Sequence, residues 1–118
     1  MKVGKLIAVS FVLATAVACS SNKPPVPQAE GPVVEITVAH GTVTPTNATL
    51  TAKVNQPITL RVTSDADDEL HVHSTPDHEF EVKPTADQEF SFSVGVPGSV
   101  AVELHHLDRT VATIQVQP

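Results

Sequence analysis

From Val33 onward, apolar and polar residues alternate with a period of two. Val34, Ile36 and Val38 alternate with Glu35 and Thr37, and a second run spans Leu50 to Val54. Ile58, Leu60 and Val62 follow an Asn/Pro turn, and Phe90, Phe92 and Val94 alternate with Glu89, Ser91 and Ser93. After a Val96-Pro97-Gly98 corner come Val100, Val102 and Leu104, and the run Val111 to Val116 completes the pattern. Successive strand side chains point to opposite faces, so each run reads as a half-buried strand. No stretch holds a helical period long enough to predict a helix, and there is no internal repeat. Seven or eight short strands at roughly ten-residue spacing predict an all-β fold, an antiparallel sandwich or barrel.

The remaining pair of strands forms a hairpin with its own chemistry. Glu69-Leu70-His71-Val72-His73 leads through Ser74-Thr75-Pro76-Asp77 into a strand from His78 to Lys83. Alternation puts Leu70 and Val72 on one face and His71 and His73 on the other. A three-residue loop, Thr75-Pro76-Asp77, would pair Val72 with Phe80 and Leu70 with Val82. His71 and His73 then face Glu81 and Glu79. A one-residue slip would set valine and leucine against glutamates, so the pattern opposes it.

The chain has 118 residues, enough for one domain. Lys2 and Lys5 precede an apolar run, Leu6 to Ala18, that ends in Ala16-Val17-Ala18-Cys19. A charged start, a short apolar run and small residues before a cut site describe an export signal over residues 1–18, too short for a spanning helix. Cys19, the single cysteine of the chain, follows the expected cut. This resembles a bacterial lipobox, with Ala16 where such motifs usually carry leucine. The resemblance implies an acyl (palmitate-type) lipid on Cys19 and anchoring on the extracytoplasmic face of the cell membrane. Ordinary small-x-small cleavage, releasing a secreted protein, is the alternative. Residues 19–32 read as the lipidated cysteine and a Pro-rich tether, and 33–118 as the folded domain.

Beyond the signal, the chain keeps all thirteen acidic residues and loses Lys2 and Lys5 from its seven basic ones. It has no basic stripe, which argues against nucleic acid as a partner. With one cysteine, no intramolecular disulfide is available in the oxidising destination.

Three segments resemble the cupredoxin family: Val54-Asn55-Gln56-Pro57-Ile58-Thr59-Leu60-Arg61-Val62, the His71 region, and Pro97-Gly98-Ser99-Val100-Ala101-Val102-Glu103-Leu104. More narrowly, His71-Val72-His73 and Val102-Glu103-Leu104-His105 look like the small cupredoxin-like domains of bacterial iron-uptake lipoproteins. The resemblance implies a Greek-key β-sandwich of the cupredoxin-like kind, with His71 near the first metal histidine of the family. It departs where the copper ligands would lie. Counted from Gly98, the family's cysteine position holds Leu104 and its following histidine position holds Leu107. The one methionine is Met1. A blue-copper centre requires a thiolate, so the resemblance implies the fold without a type 1 site.

Two functional readings follow. In the first, an envelope-anchored module without catalytic activity binds an envelope protein or other component through its sheet face or loops. In the second, His71, His73 and His105 with Glu79 and Glu81 bind Cu(II) or Zn(II), since imidazoles with a carboxylate suit either ion. His78 and His106 have inward parity and are expected to pack at a rim, while His40 before Gly41 is expected in a turn. Asp65-Ala66-Asp67-Asp68-Glu69 lacks the spacing and glycine of a calcium loop and reads as a solvated turn. His-Val-His also resembles copper-zinc superoxide dismutase, but Lys83 to Leu104 contains no histidine to bridge two metals. There is no Ser-His-Asp order, phosphate loop or nucleophile elbow, so no enzyme is expected.

Overall fold

The computed structural model describes Gly4 and residues 30–118. The expected export signal, Cys19 and the tether as far as residue 29 lie outside the described residues. Nine strands are present among the described residues: β1 (Val33–Ala39), β2 (Thr42–Thr44), β3 (Ala48–Lys53), β4 (Ile58–Ser64), β5 (Asp68–Val72), β6 (His78–Val82), β7 (Gln88–Phe92), β8 (Gly98–Leu104) and β9 (Arg109–Gln117). They form a four-stranded sheet, β2-β1-β4-β7, and a five-stranded sheet, β3-β9-β8-β5-β6.

The sandwich is confirmed, with two differences of detail. The extra strand is β2, only Thr-Val-Thr, folded back on β1 by the two-residue turn His40-Gly41. Both turn residues have positive φ, 53° and 72°, as a type I′ hairpin turn requires. Two of the pairings are parallel rather than antiparallel: β1 with β4 and β3 with β9. Each joins strands separated by a crossing to the other sheet, which leaves the returning strand pointing the same way.

The inward residues of both sheets form one core. Ile36, Ile58, Leu60, Val62, Leu70, Val72, Val102, Leu104, Val111 and Ile114 are all buried, as the alternation predicts. The described end of the expected tether, Glu30 to Pro32, lies against the start of β4. Thr59 donates its N–H to Pro32 O at 3.1 Å, and a Cβ at Gly31 would stand 1.5 Å from Pro57 O. Only glycine permits that approach. On the outer face of the four-stranded sheet, Arg61 lies between Glu35 and Glu89 in register and bonds both. Glu89 and then Glu35 hold its guanidinium pKa above the ordinary value.

The hairpin register differs from the expected one by two residues. Leu70 pairs with Phe80, His71 with Glu79 and Val72 with His78. Parity is preserved, so each residue keeps its face. The loop, residues 73–77, is longer because pairing with β6 ends at Val72 and His78, while His73 continues the pairing with β8 by donating its N–H to Ala101 O at 2.9 Å. Ser74 Oγ then closes the loop by donating to Pro76 O at 2.7 Å.

Candidate functional site

The outer face of β6, β5 and β8 collects most of the candidate residues. β5 lies between the other two, with His71 opposite Glu79 on β6 and Glu103 on β8. Cross-strand neighbours stand about 4.5–5.5 Å apart, and diagonal neighbours remain within reach of long side chains. Period-two alternation adds Glu69 and His73 along the same row and His105 just beyond the end of β8. His71 is the hub, its side chain 16% exposed.

Every ring in this group is engaged. His71 Nδ1 lies 2.9 Å from His105 Nε2, and the two rings meet edge to face with centroids 4.9 Å apart. His105 Nδ1 is 2.8 Å from Glu69 Oε1, and His71 Nε2 is 3.2 Å from Asp77 Oδ2. His73 lies beside His71, ring centroids 4.0 Å apart, but points its Nε2 at Glu103 Oε2, 2.7 Å away. Thr110 Oγ1 donates to the other oxygen of Glu103 at 3.3 Å.

The structure therefore brings His71, His73 and His105 onto one patch without aiming all three at one point. Among the described residues, the donors of three side chains that lie within 4.8 Å of one another are those of His71, Asp77 and Glu79. Glu81 stands across from Glu69 and is bound by Lys83, whose pKa its carboxylate raises. Three participating carboxylates, Glu69, Asp77 and Glu103, were not among the residues picked from the sequence. Glu69 and Glu103 share the outward parity of His71 and His105, so alternation contained that signal. Asp77 reaches the site from an irregular loop, where alternation says nothing.

The acidic run preceding β5 corrects an expectation. Asp68 is no solvated turn residue: it is 4% exposed and accepts backbone N–H bonds from Glu69, His106 and Leu107. It holds the turn between β8 and β9, the turn that carries His105. His106 is exposed rather than packed, and its Nδ1 meets Asp67 O at 3.2 Å. His78 does point inward, stacked on Phe80 and tilted against Phe92.

No protein-family model and no curated protein matches the chain. Solved structures do. A reduced amicyanin variant superposes with a TM-score of 0.51 at 13% identity, covering 72% of this chain and 82% of that one. An oxidized amicyanin variant gives 0.50 at 13% identity, with 77% and 95% covered. A chain of a heme-copper terminal oxidase dimer gives 0.52 at 17% identity, with 79% and 74% covered.

The fold is cupredoxin-like. Within this cupredoxin-like sandwich the corner at Pro97-Gly98 feeds β8, which runs inward through Val100 and Val102 to Leu104. Leu104 is 1% exposed and pairs with Leu70, and Leu107 packs against the same core. The single cysteine and single methionine of the chain, Cys19 and Met1, both precede the domain.

Proposed function

We propose that the chain is an exported, lipid-anchored binding module that uses a cupredoxin-like fold without a thiolate copper centre and without catalytic activity. The observation that carries this reading is Leu104. It occupies the position reached by the Pro-Gly corner and inward strand, and it is 1% exposed inside an apolar core. A type 1 copper needs a thiolate with two imidazoles, and here leucines stand at the two positions that the cupredoxin pattern gives to the thiolate and the histidine after it. The residues present do not fit that group. Binding then falls to the surface. The outer face of β5, β6 and β8 gathers Glu69, Glu79, Glu81 and Glu103 around the histidines. That excess of carboxylates favours a cationic partner, either a basic segment of an envelope protein or a metal ion. Cys19 would hold the module at the membrane, with the Pro-rich segment as spacer.

The test is optical. Cu(II) added to the purified full chain is expected to produce no intense thiolate-to-copper absorption. Such a band, lost on Cys19→Ser, would overturn the reading by showing that the one thiol of the chain reaches a copper site.

A further inference from the structure

The contact between His71 and His105 raises a problem of proton number. An ionised carboxylate can only accept hydrogen bonds. Glu69 therefore takes the Nδ1–H of His105, and Asp77 takes the Nε2–H of His71. With both outer nitrogens protonated, the inner ones, His105 Nε2 and His71 Nδ1, oppose each other as lone pairs 2.9 Å apart. Two acceptors at that distance repel unless a cation lies between them. That cation is either a shared proton or a metal ion.

We infer that His71 Nδ1 and His105 Nε2 form a divalent-cation site that takes Cu(II) in preference to Zn(II), with water completing the coordination shell. Three features support it. For metal–nitrogen bonds of about 2.0–2.1 Å, ligands at right angles stand about 2.9 Å apart and tetrahedral ligands about 3.4 Å. The observed separation of 2.9 Å is short enough for both nitrogens to reach one ion, and on the same nitrogen donors Cu(II) binds more tightly than Zn(II). Each ligand nitrogen also has its ring partner fixed by a carboxylate, the arrangement that sets the tautomer and raises the basicity of metal-bound imidazoles. Finally, the His105 side chain is 40% exposed. Its ring has room to turn so that both lone pairs meet off the line joining the nitrogens, and solvent supplies the entry path. The site depends on the geometry of this face and not on lipid attachment.

The competing arrangement uses the other edge of the same ring, with His71 Nε2, Asp77 and Glu79 as ligands. The two make opposite predictions, so the test separates them. Cu(II) and Zn(II) are titrated separately onto the full chain by calorimetry in a weakly chelating buffer, with Cys19→Ser as the control for a free thiol. Zn(II) binding is also followed by nitrogen-15 NMR of the imidazoles. The expected result is one saturable Cu(II) per chain, with Zn(II) weaker by at least tenfold. His71→Ala and His105→Ala should each lose at least tenfold in affinity, and Glu69→Gln should weaken binding by about 10-fold or more. Glu79→Gln should weaken binding less than Glu69→Gln does. Zn(II) should move the Nδ1 resonance of His71 and the Nε2 resonance of His105. Unchanged affinity in His105→Ala, loss of binding in Glu79→Gln with a shift at His71 Nε2, or no saturable binding would each overturn the site. His105→Gln, which keeps a polar surface residue, guards against a folding artefact. The buried-core reading under Leu104 survives failure of this site, because its optical test is independent.

Discussion

Asp68 Oδ1 accepts the backbone N–H of His106 at 2.9 Å, joining chain segments 38 positions apart. The same carboxylate takes the N–H of Glu69 at 2.7 Å and, through Oδ2, that of Leu107 at 3.3 Å. Three backbone donors near the end of the sandwich thus depend on one buried side chain. Asp68→Ala should lower stability by about 1.5–3 kcal/mol, because three part-buried bonds to a charged acceptor are lost. Asp68→Asn, which keeps one acceptor oxygen, should cost less. Urea unfolding measures both, and an unchanged midpoint in Asp68→Ala would show that the turn holds without it.

Leu104 tests the packing of the core. Leu104→Ala should cost about 2–5 kcal/mol, the range for a fully buried leucine whose site cannot collapse. A loss below about 1 kcal/mol in thermal or urea unfolding would mean that the inward parity of β8 is wrong. Leu104→Cys alone should not give a blue-copper spectrum, because the partner ligands are also missing.

His78 offers a stabilising substitution. Its ring stacks on Phe80 at 6.0 Å between centroids and lies 5.5 Å from Phe92. Its Nε2 is buried with no hydrogen-bond partner among the described residues. A buried polar atom left unpaired costs about 1–3 kcal/mol. His78→Phe keeps the stacking and removes that atom, so it should raise the melting temperature by a few degrees. A lower melting temperature would show that the ring nitrogen is satisfied in solution.

Anchoring makes a separate prediction. Cells fed a fatty-acid analogue should label the protein, and Cys19→Ala should abolish the label and move the protein out of the membrane fraction. Unlabelled wild-type protein in the medium would refute lipid attachment.

With the cupredoxin resemblance choosing a sandwich over a barrel, alternation along the chain was enough to read the two-faced strands, the inward set from Val34 to Val116 and the common face of His71, His73 and His105. It was enough because a period of two assigns faces whatever strand lies alongside. It does not say which residue stands opposite which. Glu79 is expected opposite His73, yet it pairs with His71, because pairing of β5 with β6 ends at Val72 and His78 and the loop 73–77 is two residues longer than the expected turn. Asp68 departs from its expected solvated turn for a different reason. It shares the parity of Leu70 and Val72, but its position in an acidic run outweighed that signal. Asp77 was not legible at all, since a loop residue reaches a site through the path of the loop. The parallel pairings of β1 with β4 and β3 with β9 likewise follow from topology, to which strand composition is blind.

Strand β9 lies inside its sheet, between β3 and β8. Until residues 109–117 are available, β3 has no neighbour in the sheet and β8 exposes an open edge. The five-stranded sheet therefore cannot close progressively from the N-terminal side as the chain leaves the ribosome. It stays open until its C-terminal strand is delivered, and that delay suits a polypeptide expected to be threaded through a membrane before it folds.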